Sequence, residues 1–119
     1  MAIKVGILKQ NIIDILALPY KAGTPILLGD SNIEHMKKSH PYDYEIYCDE
    51  ISNIIDTPDY VSLNKDDSIE YVKEFEVNNN FVKVAVRISI SGILYARTLY
   101  SLNNKRVSEY IAKGTLKKV

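Results

Sequence analysis

An α+β fold is predicted by two features of the sequence: helical spacing of apolar residues through most of the first half, and a switch to strict alternation between residues 69 and 100. N-terminal helices should pack on one face of a C-terminal antiparallel β-meander, leaving the other face to solvent or ligand. With 119 residues and an apolar share of 46%, the chain can bury one core, so residues 1–119 are expected to form a single domain.

Each element has its own warrant. Ile3 to Leu8 can form a short strand, and apolar residues at 12, 13, 15, 16 and 18 then recur at helical spacing until Pro19. PILLG (25–29) reads as a buried strand running straight into DSNIEHMKK. There Ser31 and Glu34 have the spacing of a capping box, and Pro41 disfavours helical geometry at His40, so the helix should end near Ser39. In residues 42–56, Tyr44, Tyr47, Cys48, Ile51, Ile54 and Ile55 fall on one stripe, predicting an amphipathic helix with Cys48 buried on it. YVSL (60–63) is a strand and NKDDS (64–68) a polar turn.

The meander comes next. IEYVKEFEV (69–77), FVKVAVRISI (81–90) and ILYARTLY (93–100) alternate as three strands, joined at Asn78–Asn80 and by a tight turn at Ser91-Gly92. Asn103 or Asn104 can cap a final helix, KRVSEYIAK, with Gly114 at its C-terminal end. In the middle strand the valines at 82, 84 and 86 with Ile88 and Ile90 should face the helices, while Lys83, Ala85, Arg87 and Ser89 face the other way. A two-residue turn pairs Arg87 with Ala96, Ala85 with Thr98 and Lys83 with Tyr100. One open face then gathers Lys83, Arg87, Thr98 and Tyr100.

Charge is uneven beneath a net value of zero. Residues 1–80 carry 7 basic and 14 acidic side chains, whereas residues 81–119 carry 8 basic and 1 acidic, a net of +7. Such asymmetry points to a polyanion-facing surface, although a zero total argues against strong nonspecific DNA binding. The single cysteine, Cys48, excludes an internal disulfide and a thiolate zinc site. No run of about 18 apolar residues and no secretory pattern occurs, so a soluble cytoplasmic protein without a membrane partner is expected.

Both histidines, His35 and His40, lie in EHMKKSHP beside Lys37 and Lys38. Their spacing turns about 140° around a helix, a poor arrangement for a shared metal, so neither a metal site nor another cofactor is expected. The bland alternatives are a helix-surface His35, a helix-terminal His40, and an Arg87 paired to Glu70 or Glu74 on the neighbouring strand. The functional alternative is a phosphodiester site, in which arginine steadies phosphate charge and an imidazole moves the proton of an RNA 2′-hydroxyl. No acidic cluster for Mg²⁺ accompanies these groups, and RNA supplies its own nucleophile.

The strings GDSNIEHMKKSHP, PDYVSL, SIEYVKEF, VKVAVRIS and GILYARTLY together resemble the phage-associated members of the barnase, EndoU, colicin and RelE-like (BECR) nuclease fold, over about residues 25–118. The resemblance implies a metal-independent ribonuclease of a phage or mobile element, acting as a toxin or effector on tRNA or other RNA, with an inhibitor or immunity protein as its cognate partner. Carried over by position, His35 matches the helix histidine, Arg87 the mid-strand basic residue, and Arg97-Thr98 the basic and hydroxyl pair. Strict alternation puts Arg97 opposite Thr98, so Thr98 is preferred in the site unless a bulge intervenes. His35, Arg87 and Thr98 are therefore the expected catalytic residues, and Lys38, His40, Lys83, Arg97 and Tyr100 the expected substrate-binding ones. A non-catalytic RNA- or protein-binding module on the same fold is the alternative.

Overall fold

The computed structural model describes residues 1–65 and 67–119. Its centre is the meander, whose alternation places Val82, Val84 and Val86 in the core and leaves Lys83 and Ala85 half-buried and Arg87 exposed on the opposite side. The three strands are β4 (Ile69–Phe75), β5 (Asn80–Ile88) and β6 (Leu94–Leu102), paired antiparallel in sequence.

The sheet is wider than the meander. N-terminal strands β1 (Ala2–Ile7) and β2 (Pro25–Gly29) join it beyond β6, and β3 (Tyr60–Leu63) and a two-residue β7 (Lys117–Lys118) join beyond β4. The order is β1-β2-β6-β5-β4-β3-β7, with β2 parallel to β6 through only two residue pairs, Ile26 with Leu94 and Leu27 with Tyr95. Past that short contact the edge of β6 is engaged by a helix start instead. Asp43 in α3 (Pro41–Tyr47) accepts hydrogen bonds from the Ser101 backbone N–H and hydroxyl, each at 3.0 Å.

Helices α1 (Gln10–Leu16), α2 (Asp30–Ser39) and α4 (Ile51–Asp56) contribute Ile12, Ile13, Leu16, Met36, Ile51, Ile54 and Ile55 to the main core. Gly6 permits one of these approaches: a Cβ there would meet Ile55 Cγ2 at 2.8 Å, so a larger residue would force the Ile55 side chain to shift. The second sheet face is not wholly open. Val72, which pairs with Lys83, joins Val107 of α5 (Asn104–Lys113) and Leu116 in a smaller apolar cluster. Helix α5 therefore covers one end of that face. Its ends follow the expected chemistry, with the Asn103 side chain accepting from the Lys105 and Arg106 N–H groups and Gly114 at φ 77°.

Four local expectations are corrected. Helix α2 begins directly from β2 with Gly29 as cap, and the Asn32 side chain, not Glu34, accepts the Gly29 N–H at 2.9 Å; no linker separates strand from helix, which moves the cap two residues upstream of Ser31. The single helix expected over 42–56 is divided by a 3₁₀ turn at Cys48–Glu50, and Cys48 is half-buried rather than buried. The two parts serve different partners, since the Tyr47 hydroxyl accepts from Asn78 and Asn80 at the β4–β5 turn while Ile51, Ile54 and Ile55 enter the core. Ile90 is fully exposed, because β5 ends at Ile88 and residues 89–93 form the connection, closed by the Ser89 N–H to the Ile93 carbonyl at 2.8 Å. The turn expected at 64–68 includes Asp66, which lies outside the described residues.

The fourth correction matters most for function. Lys83 pairs with Tyr100 and Ala85 with Thr98 as expected, but the register shifts between Ala85 and Val86, so Arg87 opposes Tyr95 and not Ala96. The extra residue is Arg97. A bulge of this kind lets two successive side chains leave one face, which removes the conflict between Arg97 and Thr98.

Candidate functional site

The open part of the second sheet face holds two cavities, one at each end of a row set by β5 and β6. Lys83 and Arg87 are four residues apart on β5, a span of roughly 14 Å at about 3.4 Å per residue.

The first cavity, about 520 Å³, is lined by Arg87, Ser89, Tyr95 and Arg97 from the hairpin and by Gly29 to Asn32 at the start of α2, with Met1 and Ala2 at its margin. Here the bulge acts directly: it brings Arg97 beside Arg87. Both arginines are exposed, and among the described residues neither guanidinium makes an ion pair. Asp30, the acidic residue of this wall, is paired to the Met1 ammonium at 2.6 Å. Tyr95 closes the floor against Gly29, where a Cβ would lie 4.0 Å from the ring and 3.2 Å from Asn32 Oδ1.

The second cavity, about 410 Å³, lies where α5 meets the sheet. Glu70 is its centre. The carboxylate accepts from the Ser62 hydroxyl at 2.9 Å and from Lys83 Nζ at 3.0 Å, and Lys83 also donates to the Tyr100 hydroxyl at 3.1 Å. The Lys83 and Glu70 side chains are only 12% and 14% exposed, so this is a largely desolvated pair. Burial works against the lysine charge, but the bonds to Tyr100 and Glu70 outweigh it and hold the Lys83 pKa above its ordinary value. Tyr100 carries the network one step further, for its ring stacks on His40 with centroids 4.8 Å apart.

The expected residues thus fall into separate groups. Arg87 and Arg97 share the first cavity, Lys83 and Tyr100 line the second with His40 stacked behind, and half-buried Thr98 sits opposite Ala85 between them, lining neither. His35 and Lys38 are exposed on α2 and line neither cavity. Glu70 bonds Lys83, and among the described residues neither Glu70 nor Glu74 makes an ion pair with Arg87, so the cross-strand pairing considered for it is not made. Tyr95, Ser89 and Asn32 were not picked out by sequence reasoning. The one available signal was the possibility of a bulge near Arg97, which would have turned Tyr95 to the same face.

A family profile described as phage-Barnase-EndoU-ColicinE5/D-RelE like nuclease3 matches residues 3–109. The chain belongs to this family. The name of the family is that of a phage nuclease, and the mixed α+β fold of this nuclease-family chain, with its seven-stranded sheet, is consistent with a domain of that type. No curated protein and no solved structure matches the chain. No helix among the described residues of this family member is long and apolar enough to cross a membrane.

Proposed function

We propose that this chain is an RNA endonuclease that cleaves without a metal ion, by attack of the substrate's 2′-hydroxyl on the adjacent phosphorus. The observation that carries this reading is the pair Arg87 and Arg97 in one cavity with no acidic partner among the described residues. Glu70 on the neighbouring strand serves Lys83, and the two planar guanidiniums of the first cavity remain for an external anion.

In the proposed reaction the 2′-hydroxyl gives its proton to a base, its oxygen bonds to phosphorus, and the 5′-oxygen leaves with a proton, producing a 2′,3′-cyclic phosphate. Arg87 and Arg97 hold the non-bridging oxygens as their charge grows. Thr98, next along the row, donates its hydroxyl. His35 of α2 and His40 just after it are the candidates for the proton transfer; neither lines the arginine cavity, His40 stacking on Tyr100 and His35 being exposed. As a phage toxin or effector, such an enzyme would slow the growth of cells expressing it through damage to tRNA or other RNA.

The test is incubation with total cellular RNA in EDTA, followed by end-group analysis. Fragments bearing 2′,3′-cyclic phosphate are expected. Activity abolished by chelation and restored by Mg²⁺ would overturn the mechanism. The second reading, an RNA- or protein-binding module without chemistry, is favoured by the position of His35 outside both cavities; RNA bound but left intact by pure protein would establish it.

A further inference from the structure

Two arginines can hold a phosphate, but they do not by themselves shape the nucleotides on either side of it. Attack by a 2′-hydroxyl needs that oxygen, the phosphorus and the departing 5′-oxygen in one line. A stacked helical strand turns the 2′-hydroxyl away from that line. One of the two flanking bases must therefore leave the stack before the bond can form.

The connection after β5 presents a side chain suited to this. Ile90 is fully exposed, and the turn that carries it is braced. The Ser89 N–H donates to the Ile93 carbonyl at 2.8 Å and the Gly92 N–H to the Ser89 carbonyl at 3.0 Å. The Ser89 hydroxyl accepts from the Ile93 N–H at 3.2 Å and shares a hydrogen bond with the Ser91 hydroxyl at 2.8 Å. Ser89, on which these bonds converge, also lines the arginine cavity, so the exposed isoleucine and the cavity wall are adjacent residues of one turn. Three residues separate Arg87 from Ile90, at most roughly 10 Å of chain. That matches the rise of about three stacked nucleotides at roughly 3.4 Å each, and a strand whose phosphate lies on the arginines comes within reach of Ile90.

An isoleucine held in water contributes no burial to the fold. Between two bases it would lose that water, and apolar side chains of this kind do part base steps where cationic groups hold the neighbouring backbone. Val77 is equally exposed but sits beyond the other end of β5, beside Glu76 and away from the arginines.

We infer that Ile90 is a wedge that enters between the bases flanking the phosphate held by Arg87 and Arg97, unstacks them, and so makes stacked and base-paired RNA cleavable. The inference rests on the reading of the chain as an RNA-cleaving enzyme and adds structured RNA to it as a class of substrate.

Two substrates of one sequence test this, a stem-loop cut within its stem and the same strand without its complement. Ile90→Ser should lower kcat/KM on the stem at least about 10-fold and on the free strand by no more than about 3-fold. Ile90→Leu should keep the parent's ratio, and Val77→Ser should leave both substrates unchanged. Because Ile90 is fully exposed, each of its variants should melt with the parent. A 2′-O-methyl strand carrying 2-aminopurine, which cannot be cut and fluoresces more strongly on unstacking, should brighten several-fold when saturated with the parent but not with Ile90→Ser. A parent that cuts only unpaired strands, or equal ratios and equal brightening in the parent and Ile90→Ser, would overturn the wedge and leave the nuclease reading intact. Brightening that depends on Ile90 in a protein that leaves natural RNA uncut would sink the nuclease reading and keep the wedge. Loss of binding to phosphatidylglycerol vesicles in Ile90→Ser, with cleavage of both substrates unchanged, would assign the tip to a membrane surface and overturn the inference.

Discussion

The two cavities lie on one sheet face and answer opposite electrostatic demands. Around Arg87 and Arg97 the side chains are exposed, so water solvates each guanidinium and no internal partner is required. Around Lys83 and Glu70 the side chains are about one-eighth exposed, and charge survives there only because each group satisfies the other. The same residue class thus has different consequences on one strand. A cation left unpaired at the surface is available for a ligand at little cost to the fold, while a desolvated cation is part of the fold itself.

Substitutions that separate stability from activity sharpen this contrast, and the largest effect should fall on the second cavity. Lys83→Met strands the Glu70 carboxylate and should cost about 3 kcal/mol in urea denaturation at neutral pH. The pH dependence has a definite sign. Because the folded Lys83 pKa is raised, the stabilisation it brings is complete below the unfolded lysine value of about 10.4 and is lost as pH rises through the folded value; Lys83→Met should remove that alkaline decline. A variant as stable as the parent would break the comparison.

Arg87→Ala should behave in the opposite way. Stability should stay within about 0.5 kcal/mol, while kcat and kcat/KM fall together by roughly 10²-fold, the loss expected when charge stabilisation is removed from a transition state. If Arg87→Ala instead lowered stability and left turnover per folded molecule intact, the arginine cavity would be a structural feature. Neutralising Lys113, Lys117 and Lys118 together should act more weakly, raising KM several-fold and flattening the logarithmic salt slope by up to about 2, as three single-strand phosphate contacts would.

The smallest effect tests whether lack of a partner is by itself a mark of function. Tyr71 is fully buried in the main core, its hydroxyl has no hydrogen-bond partner among the described residues, and burial pushes its pKa above the ordinary tyrosine value. Unlike Arg87, it lines neither cavity of the open face. Tyr71→Phe should leave RNA cleavage unchanged and raise stability by up to about 1 kcal/mol in thermal unfolding. Ionisation of the unfolded phenol above about pH 10 costs the native protein stability, so the phenylalanine variant should also be more resistant there.

What could be read from the sequence was whatever consecutive residues settle among themselves. Alternation through 69–100 located the three central strands and the facing of Lys83, Ala85 and Arg87; Asn103 and Gly114 delimited α5; the family resemblance followed from the same strings. These are local properties of side-chain period and backbone preference, present before any distant contact forms. Tertiary structure decided the rest. The bulge at Arg97, the entry of β1, β2, β3 and β7 into one sheet, the stacking of His40 on Tyr100, and the choice of Glu70 for Lys83 over Arg87 each depend on segments far apart in the chain meeting at one edge or face. An alternating pattern is unchanged by which neighbour a strand meets or by one inserted residue in its ladder, yet that residue reverses the facing of every side chain on one side of it relative to the other. Here it is what sets Arg97 and Tyr95 beside Arg87.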